Sequence, residues 1–486
     1  MAEVFGEGKM EILLKNVGII KNSSILLDGL TVITGKNSSG KTTVGKVLYA
    51  VIQANNDIES AFVESKKVYI KAQLRKIWVV ISSRSSYHYQ KQYNPLDGKN
   101  PSEKALYYLS TTVVEASLKQ LQEIIYIVRQ GLQDLTLDTF KDFVANGMSV
   151  QGREQEYYQT IADQFEERKK KAIDLCEQVI SSIENDKAFE MFRHDRIRSY
   201  LNHAFYDQIK PIKAARTVAQ IRMKNSGRTI LNFKVRNKSN FEFFKESSYV
   251  FPYDRAVFVD NPFVIDRIES DNYNGFSFAD FDDDVIGTVD WQSHEEQLIK
   301  LLTAKKSGNF FDNLEFQKRY RDIVEKINRI VPGEFSLSRE GVFYLENGTK
   351  LNANNLATGS KLFSILKLLF MNGYLNKDTV LILDEPESHL HPEWINKFAE
   401  ILVLLVKDAN LHVLLTTHSP NLLLALNVFS KTFQEEKTAH FYLAKNLDNS
   451  WVSELICIDN DINEGYAHLS LPLIQMTIQQ DALTEE

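Results

Sequence analysis

Two short stretches of this 486-residue chain combine residue types that can do phosphate chemistry. GKNSSGKT at residues 35–42 satisfies G-x-x-x-x-G-K-[ST] at every fixed position. Phosphate oxygens need several backbone N–H groups turned into one concavity, and Gly35, Asn37, Ser38, Ser39 and Gly40 are small enough to allow it. The positive end of a following helix adds to the attraction. In this pattern Lys41 reaches the β and γ phosphates, the Thr42 hydroxyl sits on Mg2+, and Thr43 stands beside it among the nucleotide contacts. Far downstream, VLILDEP at residues 380–386 is an apolar run that ends in two carboxylates. Asp384 is the candidate to hold magnesium through water, and Glu385 the candidate to polarise an attacking water. Successive side chains of a strand point to opposite faces, so both acids serve one site only if the chain turns at the strand's end. A second run, VLLTTHSP at residues 413–420, places His418 where α/β sheets bind ligands, as a candidate γ-phosphate contact.

Such residues need strands and a helix to hold them. Two apolar stretches, ILLKNVGII and ILLDGLTVIT, are broken by the polar residues 21–24, the pattern of strands joined by a turn, and the second runs into residues 35–42. Beyond the glycine-bearing loop, Val44, Val47, Leu48, Val51 and Ile52 share one helical face. Short apolar runs follow at residues 67–70 and 77–81. No proline occurs between Pro101 and Pro211, which leaves that region free to be helical. Leu118, Leu121, Ile125, Val128, Leu132 and Leu135 form a heptad seam, and Ile161, Phe165, Ala172, Cys176, Val179 and Ile183 form a second. The seams predict either a hairpin or coiled-coil arm, or a helical subdomain whose seams are simply its core. Strands are then expected at residues 229–235, 241–244 and 249–259, helices at 294–304 and 311–330, and a hairpin at 334–351 turning at Gly341 and at Asn347-Gly348. Residues 271–284 read as an acidic loop, in which Asp282, Asp283 and Asp284 lack the spacing of a cation site.

Hydrophobic content of 43% and charged content of 25% are those of a soluble globular chain. The net charge of -7 argues against a surface that binds nucleic acid throughout, so any such contact must be local. Arg193, Arg196, Arg198, Lys210, Lys213, Arg216 and Arg222 are the basic cluster available, but Asp195 and Asp207 interleave them, which favours a solvated helix face. Cys176 and Cys457 are too far apart in sequence to encode a zinc site or a disulfide framework. Residues 1–10 lack the apolar core of a secretory signal, and no apolar run reaches the roughly 18 residues that span a bilayer. A cytoplasmic chain without membrane contact is expected.

Taken together, the three elements resemble the ABC ATPase superfamily, in the branch that contains RecF, Rad50, SMC and the OLD-type ATPases. The resemblance covers roughly residues 10–53 and 333–446, and ESHLHP at residues 387–392 looks like the D-loop wording of that branch. The superfamily completes its site with a signature segment from a second subunit, and LATGSK at residues 356–361 stands where one is expected. Ala357 occupies the place usually held by serine, which leaves Thr358, Gly359, Ser360 and the helix N-terminus to contact a γ-phosphate. A Q-loop glutamine is not identifiable among Gln73, Gln90 and Gln92. The fold implied is α/β: an ABC-type P-loop ATPase head, a mixed sheet flanked by helices, interrupted by a large mainly helical insertion. Its parts would be 1–95 and 331–486 for the two halves of the head, 96–225 for the helical or coiled-coil insertion, and 226–330 for a strand-and-helix remainder of the insertion. The resemblance also implies ATP and Mg2+, ATP hydrolysis, and a homodimer with ATP sandwiched between its subunits, with higher homo-oligomers left open.

Within the branch, this sequence lacks the C-x-x-C zinc hook of Rad50-like proteins, and the stretch after His418 is shorter than a TOPRIM nuclease domain needs. LATGSKLFSILKLL followed by LILDEPESHLHPEWINKFAEIL resembles stand-alone anti-phage ATPases such as the PtuA subunit of Septu and the AriA subunit of PARIS. Those look like sensors or scaffolds that control a separate effector nuclease of HNH or TOPRIM type. Two rival readings stand beside this one. One is a RecF-like repair or replication ATPase with DNA as its partner, and the other an ATP-binding scaffold with little turnover, which Ala357 favours.

Overall fold

The computed structural model describes residues 9–82, 100–110, 116–147, 161–211, 217–244, 251–268, 293–304, 315–316, 318–338, 341–433, 439–447 and 452–484. The chain divides into two compact units, one drawn from Met1–Asn56, Asp195–Phe278 and Asp290–Glu486, the other, among the described residues, from Asp57–His194.

The first unit opens with β1 (Met10–Val17), β2 (Ile20–Leu27) and β3 (Leu30–Gly35), then α1 (Lys41–Asn55). Residues 21–24, expected as a turn, lie inside β2, and the chain reverses one step earlier, where Gly18 takes φ +54° and Val17 pairs with Ile20. Polarity misleads here because Ser23 faces inward, and its Oγ accepts the Leu455 N–H at 2.9 Å. On α1, Val44, Val47, Leu48, Val51 and Ile52 are all buried.

The second unit contains α2 (Ile58–Ser82), α3 (Pro101–Ser110), α4 (Leu118–Gln133), α5 (Leu137–Gly147) and α6 (Phe165–Ile183). The runs at 67–70 and 77–81 are parts of the single helix α2, whose Ile70, Leu74, Ile77, Trp78 and Ile81 recur at helical spacing and are buried. A capping box at Ser117 and Gln120 starts α4. Both heptad seams are buried in one shared core: Leu121, Ile125, Val128 and Leu132 join Phe165, Ala172, Cys176, Val179 and Ile183 there. Of the two arrangements compatible with the seams, the helical subdomain is the one formed.

After α7 (Ala188–Ala204) come β4 (Ala219–Asn225), β5 (Arg228–Asn237), β6 (Asn240–Phe243) and β7 (Arg255–Val259), then α8 (His294–Thr303) and α9 (Arg321–Ile330). A three-stranded meander follows, β8 (Glu334–Ser338), β9 (Gly341–Glu346) and β10 (Thr349–Asn352). Its second turn holds Asn347 at φ +49° and Gly348 at +78°, as an Asn-Gly hairpin turn requires. The chain ends with α10 (Thr358–Met371), β11 (Thr379–Asp384), α11 (Pro392–Ala409), β12 (His412–Thr417), α12 (Pro420–Phe433), β13 (Ala439–Asn446), β14 (Ser453–Cys457) and α13 (Ile462–Thr484). Residues 271–284, and residues 311–314 and 317 of the expected 311–330 helix, lie outside the described residues.

Among the described residues, eleven strands make one mixed sheet in the order β6-β5-β4-β1-β2-β14-β13-β3-β12-β11-β7. From β13 to β7 neighbouring strands run parallel. These strands are apolar along their length because both faces are covered. Leu381, Leu383, Val413 and Leu415 pack with Leu362, Phe363, Phe398 and Leu402 of α10 and α11 on one side. On the other side α1 lies so close that a Cβ at Gly45 would come within 2.9 Å of Ile382 Cγ2. The α/β head is as expected, but its sheet reaches further into the middle of the sequence than the boundaries 96–225 and 226–330 allowed. Strand β4 pairs with β1, and β7 pairs with β11. Arg222 and Lys224 disguise β4, yet they alternate with buried Ile221 and Met223 at the strand period of two.

Candidate nucleotide site

Strands β3, β12, β11 and β7 end side by side, with Thr34 opposite Thr417, Thr416 opposite Asp384, and Leu383 opposite Val259. The carboxyl edge of a parallel sheet is where α/β folds bind ligands. The loop from β3 to α1 runs through Gly35 at φ +151°, Ser38 at +58° and Gly40 at +89°. At Gly35 a Cβ would lie 2.6 Å from the Ala444 carbonyl oxygen, so only glycine fits. The first turn of α1 has neither a side-chain cap nor an acidic residue, which leaves its N-terminal N–H groups to a ligand. Ser39 Oγ is buried and has no hydrogen-bond partner among the described residues. A buried hydroxyl left unpaired costs about 1–3 kcal/mol. An anion in the loop would relieve both deficits, so the cradle fits the phosphates of ATP.

Lys41 is only 4% exposed. Its Nζ donates to the carbonyls of Gly35 and Lys36 at 3.0 Å each and lies 3.2 Å from Glu385 Oε1. The Thr42 hydroxyl reaches the two Asp384 oxygens at 2.8 and 3.0 Å. From the adjacent strand Thr416 Oγ1 donates to Asp384 Oδ1, while the Glu385 N–H meets the Thr416 carbonyl at 3.1 Å. Glu385 itself takes φ +49°, ψ +48°. A left-handed residue other than glycine costs of order 1–3 kcal/mol, and here it breaks the strand's alternation so that both acids meet the phosphate loop. His418 Nδ1 lies 3.3 Å from Glu385 Oε2 and 3.7 Å from Glu387 Oε1. Buried Glu387 accepts from Thr417 Oγ1 at 2.6 Å and from the His418 N–H at 3.0 Å, which fixes the chain at the histidine.

Burial raises the Asp384 carboxyl above the ordinary carboxylate range. Hydrogen bonds from Thr416 and Thr42 pull it down, and the neighbouring charges of Glu385 and Asp260 push it up again. Asp260, one residue past β7, is itself held low: burial raises it, but the 2.9 Å bond to His294 Nε2 and the His294 charge outweigh that. Hard oxygen donors crowded by negative charge suit a divalent cation, so Thr42 and Asp384 fit Mg2+.

The segment 356–361 opens α10, and its N-cap Ala357 makes no side-chain cap. Lys361, 2% exposed, pairs with Asp266 at 2.6 and 2.7 Å and donates to the Asn354 carbonyl at 3.2 Å. Gly359 packs so tightly that a Cβ would lie 2.9 Å from the Trp394 ring. Thr358, Gly359 and Ser360 therefore sit at an anchored, uncapped helix start. Among the described residues no hydrogen bond or ion pair joins this segment to residues 35–43.

Of the glutamines weighed for a Q-loop, Gln73 lies within α2 of the helical unit, and Gln90 and Gln92 lie outside the described residues. The basic cluster does not form one face. Arg196 is buried and donates to the carbonyls of Gln53 and Asn56 at the end of α1, Arg198 pairs with Asp195, and Arg222 lies on β4. Lys213 and Arg216 lie outside the described residues. Thr416, Glu387 and Asp260 are the site residues that sequence reasoning passed over. Asp260 had a signal, since RAVFVD ends an apolar run in an acid just as VLILD does.

A phosphate loop whose lysine and threonine meet paired carboxylates from a parallel strand, one strand removed from its own, defines a P-loop ATPase. The chain belongs to the family described as AAA ATPase domain, whose model matches residues 10–423. No curated protein matches the sequence. Among solved structures, the chain is similar to the SMC head domain from Thermotoga maritima, at 10% identity and a TM-score of 0.36, over 93% of this chain and 99% of that one. It is also similar to the Smc head domain with a coiled coil and joint from Pyrococcus yayanosii, at 10% identity and a TM-score of 0.32, over 96% and 99%. The site's chemistry rests on its own residues and not on these likenesses.

Proposed function

We propose that this chain is an ABC-type ATPase that hydrolyses ATP as a homodimer and serves as the sensor or scaffold of an anti-phage complex, controlling a nuclease carried on a separate chain. The observation that carries the enzymatic part is Glu385, held at the phosphate loop between Lys41 Nζ and His418 Nδ1 and adjacent to Asp384. Backbone N–H groups of the loop and the start of α1 bind the phosphates, and Lys41 moves from the loop carbonyls to them. Bound Mg2+, held by Thr42 and Asp384, supplies charge neutralisation on the phosphates. Glu385 takes the proton of the attacking water, and His418 contacts the γ-phosphate and fixes the Glu385 carboxylate.

The second half of the site comes from another copy. Thr358, Gly359 and Ser360 start a helix with no cap of its own, which suits an anion supplied from outside the chain. Light scattering on Glu385→Gln tests this: ATP should raise its mass about twofold in a stable form, and a mass unchanged by ATP would overturn the sandwich. The anti-phage role rests on the wording of residues 356–369 and 381–402. Its test is co-purification of the native chain with the product of the neighbouring gene, where a nuclease supports the role and a replication or repair protein refutes it. A scaffold with little turnover remains the second reading, because Ala357 contributes no side-chain cap to the signature helix. A per-site turnover no faster than that of Glu385→Gln would select it.

A further inference from the structure

Helix α13 changes character along its length. In its first turns Gly465 is buried and Ile462 and Leu469 pack against the core of the sheet unit. Beyond them Leu471, Ile474, Met476 and Ile478 are 45%, 48%, 68% and 62% exposed. Leu471, Ile474 and Ile478 share one stripe at spacings of three and four, while Met476 lies on the opposite side. A helix apolar on more than one side is built to be enclosed. From Leu469 to Gln480 no residue is charged.

We propose that residues 471–480 of α13 are a self-association surface that packs against a second copy of this chain without nucleotide. Three features select that occupant. An uncharged strip matches its own copy across a twofold axis without opposing like charges, although the chain as a whole carries -7. The chain also offers a receiving surface: on α12, against which α13 packs, Leu424 and Val428 are 48% and 49% exposed one helical turn apart. Finally, the strip lacks the Lys and Arg that an interfacial lipid-binding helix carries, and no described helix is long and apolar enough to cross a membrane.

The larger consequence of this surface rests on the ATP-sandwich reading. Two different isologous interfaces on one chain build assemblies larger than a dimer. Light scattering on full-length Lys41→Ala without nucleotide isolates the new surface across micromolar concentrations. The expected result is a dimer whose mass falls about twofold on adding Ile474→Glu and Ile478→Glu, with an unchanged far-UV spectrum because both positions are exposed. Glu385→Gln with ATP should form a species larger than a dimer, which the same two substitutions reduce to a dimer. A Lys41→Ala chain that stays monomeric, or a dimer indifferent to the glutamates, overturns the proposal. A persistent Lys41→Ala dimer together with a Glu385→Gln mass unchanged by ATP upholds this surface and refutes the sandwich instead.

Discussion

Thr416→Val tests how the site tunes its metal ligand. The substitution keeps shape and removes the hydroxyl that donates to Asp384 Oδ1 and accepts from the Glu385 N–H at 3.2 Å, while the Glu385 N–H keeps its 3.1 Å bond to the Thr416 carbonyl. The turn at Glu385 should therefore survive. One hydrogen bond to a charged group is worth about 1.5–3 kcal/mol. Of the two side-chain bonds that pull the Asp384 carboxyl down, only that from Thr42 would remain, so the carboxyl rises further. Both effects make Asp384 a poorer anion for Mg2+. The half-saturating Mg2+ concentration for phosphate release should rise by about 10–100-fold at neutral pH, the usual cost of losing a partner behind a metal ligand. The defect should shrink as pH rises, because ionisation of Asp384 then becomes complete. Phosphate release measured against Mg2+ at several pH values, with thermal melts to confirm folding, gives the answer. A Mg2+ dependence within about twofold of native at every pH would refute the reasoning.

Other outcomes follow from the same geometry. Because the folded-state carboxyl of Asp384 is raised, the folded protein binds more protons than the unfolded chain between the ordinary carboxylate range and that raised position. Stability of the nucleotide-free protein should fall as pH rises through that window, and Asp384→Asn should flatten the fall and raise the melting temperature at neutral pH while abolishing Mg2+-dependent turnover. Identical pH profiles for the two proteins would contradict this. Lys361→Ala strips the partner from Asp266 and should cost about 3 kcal/mol, the lower end for breaking a buried pair because Asp266 keeps some exposure. Urea unfolding checks it, and a loss below about 1 kcal/mol would show that the pair is solvated.

How much was legible in the sequence depended on how local each feature is. The phosphate loop and VLILDE could be read directly because their chemistry is fixed by spacing along a few residues. The need for the chain to turn at the end of β11 was also readable, but its form, a left-handed Glu385, was not. Thr416 and Asp260 act across strand neighbours that are distant in sequence, and periodicity carries no record of which strands lie together. Arg196 misled for a related reason. A guanidinium that caps the end of α1 from inside reads, residue by residue, like one on a solvated face. The seams of α4 and α6 gave the buried positions, while their arrangement as one core awaited the packing of α2 and α3.

The central claim is that Glu385 is the base of an ATP site built by Lys41, Thr42 and Asp384. Glu385→Gln keeps the shape and hydrogen-bonding reach of the side chain but cannot take a proton. With ATP binding and hydrolysis measured on the same sample, the variant should retain ATP at near-native affinity and turn it over about 10²–10⁴-fold more slowly. Hydrolysis at the native rate would contradict the account.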